Sequence, residues 1–398
     1  MRKYFLISCF LFCNFNIAAQ AIDKKLNLEQ VFEIVKKYHP IVKQSTLEID
    51  ISAAEILKAR GAFDPYFQFQ NGQKTFNGID YYQYTQNRIE LPTWYGVSVN
   101  AGWENLNGSR LNSDKTIGQT NYAGVAVPLL KNLIFDKRRA ALQQAKIFKE
   151  MALVEQQIIV NDILLDAAED YWNWVQQYQR LQIMKNNVAV NKQRLELVKK
   201  GWQIGERPAI DTTETLTQLQ SFQLLEKEYE LTFQNAGINL SYYLWVENDL
   251  PLVWDEEIYP VENADFKPSN TAFNYNVEEL LDMASRWHPE LKLVENKLDV
   301  LAIEKKLKFQ ELLPKLDAEY NFLGKGYNQF QNEAALFNNN YQYGLKFEMP
   351  LRLSQGRGAY KQAKLKIDQT QLEQNIKRQK IELKIKNYYN IFSTLKNQ

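Results

Sequence analysis

The chain has 398 residues, with 48 Lys and Arg against 47 Asp and Glu, a formal net charge of +1. A balance this even excludes a general nucleic-acid binder, which needs a basic surplus to displace phosphate counterions. The length suffices for one large core or two.

Arg2 and Lys3, the apolar run 4–15 and the small residues of "NIAAQA" read as a secretory leader over 1–21. The run is too short for a membrane-spanning helix; a buried N-terminal helix is the other reading. Both cysteines, Cys9 and Cys13, fall inside it. A chain without the leader would have no disulfide, thiol nucleophile or Cys metal site, and 46 bases against 47 acids. Beyond residue 21 there is no run of 18 apolar residues, so no spanning helix is expected.

The first element follows "KKYHPIVK", where His39-Pro40 precedes 41–60, a stretch without Gly or Pro. Proline suits a first helical turn, where no N–H is needed, so His-Pro marks a helix start. After "GAFDP" the pattern changes to period two. Tyr95, Val97, Val99, Ala101 and Trp103 alternate with polar or small residues, and weaker strands are expected at 66–76, 82–91 and 120–127. Gly-, Asn- and Ser-rich stretches such as "ENLNGSRLNSDKTIG" are loops.

From 137 to 200 there is neither Gly nor Pro, enough for a helix of ~95 Å. Val154, Ile158, Leu165, Ala168, Trp172 and Val175 step in fours and threes, with Asn161 filling one place, as a coiled-coil seam does. The helix breaks at "GWQIGERPAID" and resumes from 212 to about 244, a hairpin over 137–246 with its tip near 201–211. A polar segment then leads to "SRWHPELK" and a second helix. Leu316, Ala318, Tyr320 and Phe322 alternate with polar residues, as do Tyr341, Tyr343, Leu345, Phe347 and Met349. A closing helix is expected at 358–397.

The two His-Pro sites lie 249 residues apart, as do Pro65 and Pro314; "QAK" at 144–146 recurs at 362–364, and "YWNWV" at Tyr171 is echoed by "YYNIF" at Tyr388. The order is the same in both halves, which makes 22–250 and 277–398 two internal repeats joined by a linker at 251–276. The first carries about thirty extra residues between its prolines.

A secreted chain with aromatic-rich, amphipathic strands of membrane-crossing length suggests an outer-membrane β-barrel. Four to six strands are too few to close a wide one, so several chains should share it. The expected fold is an α+β membrane protein, a shared barrel continued by a long periplasmic α-helical coiled-coil barrel.

The repeated plan, "PLLKNLIFDKRRAALQQAK" and the tip "GWQIGERPAIDTTETLTQLQ" resemble the TolC-like outer membrane efflux protein family, over about 28–398. The resemblance implies that three chains build a twelve-stranded barrel continuous with a periplasmic tunnel. It implies that the tip docks on a periplasmic adaptor bound to an inner-membrane pump, with Trp202, Gly205 and Asp211 matching the tip pattern. It implies a passive channel subunit without a catalytic step or cofactor, exporting small molecules or proteins in tripartite efflux or a type I-like system. Two departures stand out. The family's usual Asn-Pro start is His-Pro in both copies, and no counterpart of 181–250 follows the second repeat, so the second hairpin is expected to be missing.

Several residues admit a second reading. His39 and His288 as a catalytic or zinc pair would need a third ligand beside them; as repeat equivalents they are one structural joint used twice. Asp166 and Asp170, with Glu169 beside them, form either an acidic lumen ring or a solvated helix face. "DKRR" at 136–139 meets anionic headgroups, or Asp136 is a helix cap and the bases are merely exposed. Trp172 and Val175 read as packing. Tyr95, Trp103, Tyr341 and Phe347 are the candidate lipid-facing residues. No Ser/His/Asp set, phosphate loop or Cys/His cluster is present. The rival readings are a soluble periplasmic coiled-coil scaffold or adaptor, a truncated non-functional channel copy, and a secreted polysaccharide-active enzyme.

Overall fold

The computed structural model describes residues 25–109, 116–255, 257–261, 276–326 and 340–396. The expected leader and most of the expected linker lie outside them. The described residues form two compact units, one drawn from 1–43 and 159–272, the other from 44–158 and 273–398.

The second unit contains a six-stranded sheet. In chain order its strands are β1 (Tyr66–Phe76), β2 (Ile79–Pro92), β3 (Ser98–Asn107), β4 (Gly118–Pro128), β5 (Lys315–Lys325) and β6 (Tyr341–Glu348). Each pairs antiparallel with the next, so the sheet is an up-and-down meander whose edges are β1 and β6. Within one chain it is open. A twelve-stranded barrel of three chains would take four strands from each; the described residues of this chain supply six.

Local chemistry sets the corners. Asn77 and Gly78 both have positive φ, 53° and 72°, the backbone of a two-residue turn whose twist matches antiparallel strands. "NG" between two alternating runs is the sequence signal for that turn. The β2–β3 corner corrects an expectation: Tyr95 is not on the strand. The Thr93 N–H and hydroxyl both donate to the Val97 carbonyl, at 2.8 and 2.6 Å, and Gly96 takes φ +85°. This turn consumes 93–97, and pairing begins at Ser98. Alternation continued through Gly96, but period two alone does not show where the ladder stops.

In the same unit, α5 (Val277–Trp287) and α6 (Pro289–Gln310) precede the β5–β6 hairpin, and α7 (Ser354–Lys396) follows it. α7 lies along α6, tied by Lys377–Glu290 at 2.6 Å and Lys297–Glu373 at 2.9 Å. Such half-exposed pairs fix register more than they stabilise.

The first unit holds α1 (Leu28–Tyr38), the start of α2 (Pro40–Arg60), the C-terminal part of α3 (Lys137–Gln203) and α4 (Ala209–Ser241). Asn27 and Gln30 close a reciprocal cap on α1 at 2.8 and 2.9 Å. The core gathers Leu26, Val31 and Val35 with Tyr171, Trp174, Leu240 and Leu244. Trp174 stacks on Phe233 with centroids 5.9 Å apart and meets Trp254 edge-on at 5.5 Å. Trp254 comes from the segment expected to be a polar linker. That segment is held in this unit by Leu252 N–H donating to Leu244 O at 2.9 Å and by Tyr259–Pro260 pairing with Lys25–Leu26.

The buried stripe of α3 also differs from the expected seam. It runs through Ile163, Ala167, Tyr171, Trp174 and Leu181; of the expected seam Val175 is buried with them, while Leu165 and Trp172 are exposed. Both stripes have steps of three and four. Periodicity fixes the spacing of a seam, but its phase is set by the facing residues, here Phe233 and Trp254.

Gly237 on α4 lies beneath the Trp254 indole, where an added Cβ would sit 2.5 Å from Cζ2. Gly→Ala inside a helix ordinarily stabilises by ~0.5–1 kcal/mol. Here Gly237→Ala is expected to reverse the sign and cost ~1–3 kcal/mol by displacing the indole. A fall in thermal midpoint with reduced near-ultraviolet circular dichroism would show it, and a rise would refute the packing.

Candidate functional site

The sheet has two chemically distinct faces. Cross-strand rows fix which residues share a face: Leu91, Val99, Val125, Tyr320 and Tyr343 form one row, and Phe67, Ile89, Ala101, Ala123, Phe322 and Tyr341 the next. Because side chains alternate, Phe69, Trp103, Leu345 and Phe347 lie on that face too. It is apolar and, in one chain, exposed: Phe67, Phe69, Leu345 and Phe347 are each more than half accessible. From Leu316 to Gly324 this face spans eight residues, ~27 Å along the strand, or ~22 Å of height at a ~35° tilt. The apolar band of outer-membrane barrels is about 25 Å tall.

The opposite face carries Gln68, Gln70, Arg88, Glu90, Asn100, Glu104, Asp317, Glu319, Lys346 and Glu348. Arg88 and Glu90 pair at 3.1 Å. Five of the six glycines within the strands, Gly72, Gly102, Gly118, Gly124 and Gly344, are on this side, and Gly324 is on the other. Two face tyrosines directly across the ladder, Gly72 opposite Tyr84 and Gly102 opposite Tyr122. A Cβ on either glycine would sit 2.7 Å from its tyrosine ring or hydroxyl. The rings therefore lie flat over the neighbouring strand, pinning register and permitting curvature toward the polar face.

Trp103, Tyr341 and Phe347 are thus brought to one exposed apolar face, and Tyr95 is not. Trp103 sits in a row between Asn87 and Asn121, whose amides are buried. Sequence reading missed Phe67, Phe69 and Ile89 as members of the face, although their period-two spacing was available.

At the lower end of the sheet, Asp136 begins α3. Its Oδ1 accepts the Arg139 backbone N–H at 2.9 Å, three residues into the helix, which makes it the cap. Arg139 is not free for headgroups: Nη2 donates to the carbonyls of Asn132 and Leu133 at 2.7 and 2.9 Å. Arg138 lies 5.8 Å over the Phe63 ring, itself stacked on Trp94 at 4.1 Å. A cavity of about 980 Å³ lies here, lined in part by Lys315, Asp317, Lys346 and Arg352.

The tip in the first unit is a helix stop built from backbone. Glu206 N–H donates to Gly201 O at 2.9 Å and Gly205 N–H to Trp202 O at 3.0 Å, with Gly205 at φ +83°. This is the pair of hydrogen bonds of a left-handed helix terminus, which glycine accommodates without strain. No atom lies within 4 Å of a Cβ placed at Gly205, so backbone conformation alone selects glycine. Arg207 approaches the Asp211 carboxylate at 3.5 Å, in the first turn of α4. Trp202, Ile204 and Ile210 are exposed together around this turn. Ile204 and Ile210 went unnoticed in the sequence; apolar residues inside a Gly- and Pro-rich turn were the available signal.

Asp166 is exposed on α3, and Asp170 is half-buried one turn on. Burial, then the Asp166 charge, pushes the Asp170 carboxyl up, although the Tyr243 hydroxyl donates to it. Burial beside these two carboxylates raises the Tyr243 hydroxyl to about 12.

The two histidines share one local geometry. The Ile41 N–H donates to His39 Nδ1 at 3.2 Å, and the Glu290 N–H to His288 Nδ1 at 3.3 Å. Imidazole nitrogen here does what a capping Asn oxygen does, satisfying an orphan donor of the helix start. An accepting Nδ1 requires the neutral ring. Among the described residues, no group of three or more His, Cys, Asp or Glu side chains is placed to hold a metal ion. No described helix is long and apolar enough to cross a membrane.

Burial lowers the affinity of both imidazoles for protons. A depressed folded value means stability that is full above the unfolded value, near pH 6.5, and lost as pH falls through the folded one. His39→Asn with His288→Asn is expected to keep both caps and flatten the loss of thermal stability between pH 7 and 5. His39→Ala should instead cost ~1 kcal/mol at neutral pH. Melts across pH decide it; an unchanged slope in the double Asn variant would exclude the histidines.

No protein-family model matches the chain, and no curated protein matches it in sequence. Solved structures do. CusC, described in terms of folding and transmembrane channel formation, aligns with a TM-score of 0.57 at 11% identity, over 93% of this chain and 76% of CusC. The outer-membrane channel OprN aligns with a TM-score of 0.55 at 14% identity, over 92% and 73%. The Campylobacter jejuni outer membrane channel CmeC gives 0.54 at 12%, over 88% and 67%. The chain has the fold of these outer-membrane channels.

Proposed function

We propose that the protein is a passive channel subunit of the outer membrane, exporting small molecules or proteins together with a periplasmic adaptor and an inner-membrane pump. The observation that carries this reading is the six-stranded sheet with an exposed apolar face of about bilayer height and a polar opposite face. Exposing so many large apolar side chains to water would make an aggregation-prone edge sheet; against lipid it is the stable arrangement. Trp103, Tyr341 and Phe347 are then lipid-facing, and the Glu- and Lys-bearing face lines the lumen. Several copies, three by the resemblance, share the barrel. The subunit needs no catalytic step: the pump supplies energy and selectivity.

Membrane partition tests the channel reading. The protein should resist extraction of outer membranes by high salt, enter solution only with detergent, and give discrete conductance steps in planar bilayers. Release by salt alone would point instead to a soluble periplasmic scaffold.

The tip supports the adaptor half of the proposal. Trp202, Ile204 and Ile210 present apolar surface, Gly205 allows close backbone approach, and Asp211 offers charge. Replacing Trp202 with Ala and Ile204 with Asp should abolish export in cells, with conductance in purified bilayers within about twofold of wild type. Undiminished export would remove the tip from the docking role.

A further inference from the structure

A groove below the apolar face carries a further inference, which rests on the channel reading. Both arginines that follow β4 are engaged, so the bases available to a membrane headgroup lie elsewhere. Beyond the last β4–β5 pair, Pro128 with Asp317, the two chains stay together. The Leu129 N–H donates to the Leu316 carbonyl at 2.7 Å, the Lys131 N–H to the Pro314 carbonyl at 3.3 Å and the Asn132 N–H to Gln310 Oε1 at 3.2 Å. The chain after β4 thus descends beside the entry to β5 and reaches the end of α6. There a groove of about 470 Å³ is walled by Ile134, Phe135, Phe309 and Tyr360. The Phe309 and Tyr360 rings meet edge-on with centroids 6.0 Å apart, and Ile134 is 81% exposed.

The charge in this groove has one sign. Lys305 and Lys306 line it, no Asp or Glu does, and neither lysine has an ion-pair partner among the described residues. They share a face of α6 with Phe309 and Gln310, one turn or ~6 Å farther from the sheet. Leu307 and Glu311, which line the cavity of about 980 Å³, lie on the other side of the helix, and that cavity mixes both signs. Aliphatic, aromatic, then lysine is also the order in which a bilayer passes from hydrocarbon through headgroups to water. The equivalents of Lys305 and Lys306 in the first half, 249 residues earlier, are Ile56 and Leu57. The joint between helix and strand therefore does not itself require lysine there.

We propose that this groove holds an anionic phospholipid of the leaflet nearest the helices, with an acyl chain against Ile134, Phe135 and Phe309 and the phosphate at Lys305 and Lys306. The acyl chain covers apolar surface and continues the lipid that covers the sheet face. The phosphate supplies the charge that two adjacent ammonium groups lack, and each basic residue near an anionic lipid surface strengthens binding about fivefold. An apolar protein segment would cover the wall and leave both lysines unpaired. Soluble phosphate would pair the lysines and leave the wall wet. Only an amphipathic anion satisfies both halves of the groove. Bound there, the lipid fixes how deep the sheet sits in the membrane.

Native mass spectrometry of the detergent-extracted protein, with phosphatidylglycerol or phosphatidylcholine added, tests the site. Wild type should retain phosphatidylglycerol about tenfold more tightly than phosphatidylcholine. Lys305→Ala with Lys306→Ala should erase that preference, and Lys305→Arg with Lys306→Arg should keep it. Lys346→Ala, on the polar face, should leave it unchanged. Ile134→Ser should weaken retention of both lipids by about threefold. Glycerol phosphate should not displace the lipid. An undiminished preference in the double Ala variant would place the lipid elsewhere, and displacement by glycerol phosphate would make the groove a plain anion site. An Ile134→Cys thiol closed to a water-soluble maleimide in delipidated protein would mean that a neighbouring copy covers the groove. Any of these, with wild-type conductance intact, overturns the lipid site and leaves the channel reading standing. Wild-type protein that needs no detergent and never conducts would overturn both.

Discussion

Register in the β-sheet is the constraint on which the other features depend. Side chains alternate across a pleat, so each strand separates its apolar from its polar residues only if its neighbours are paired in phase. Six strands keep one phase here, from Phe67 on one edge to Tyr341 on the other. The glycine–tyrosine pairs hold that phase from the polar side, because a tyrosine ring can lie over a neighbour only where the neighbour has no Cβ. A slip by one residue would lose both pairs and turn Phe67, Ile89 and Phe322 toward the polar side.

Contacts at the ends of the strands engage both arginines near them. Arg139 is spent on the carbonyls of Asn132 and Leu133 and on Asp136, while Arg138 covers Phe63. The turn after β4 is further tied to the start of β5 by Leu129 N–H donating to Leu316 O at 2.7 Å.

The histidine joints show how one physical need accepts two residue types. A helix beginning with proline still has later N–H groups to satisfy, and an acceptor two residues before them does so. Asn offers a carbonyl oxygen and His a ring nitrogen. The imidazole differs in that it can take up a proton and lose its acceptor, and at His39 it is enclosed by Tyr242, Tyr243 and Trp245.

The sequence alone determined the strand and helix periods, the hairpin break at Gly205 and the helix starts at both His-Pro sites, because these follow from local sterics and hydrogen bonding. Its pattern also led to the fold of outer-membrane channels. It did not determine which of two three-four stripes on α3 is buried, since phase depends on Phe233 and Trp254, far away along the chain. Nor did it show that Tyr95 lies in a turn, where Thr93 captures the Val97 carbonyl. The tertiary structure alone decided that the six strands share one sheet and how they are ordered in it, because pairing partners 189 to 205 residues apart leave no trace in a local pattern.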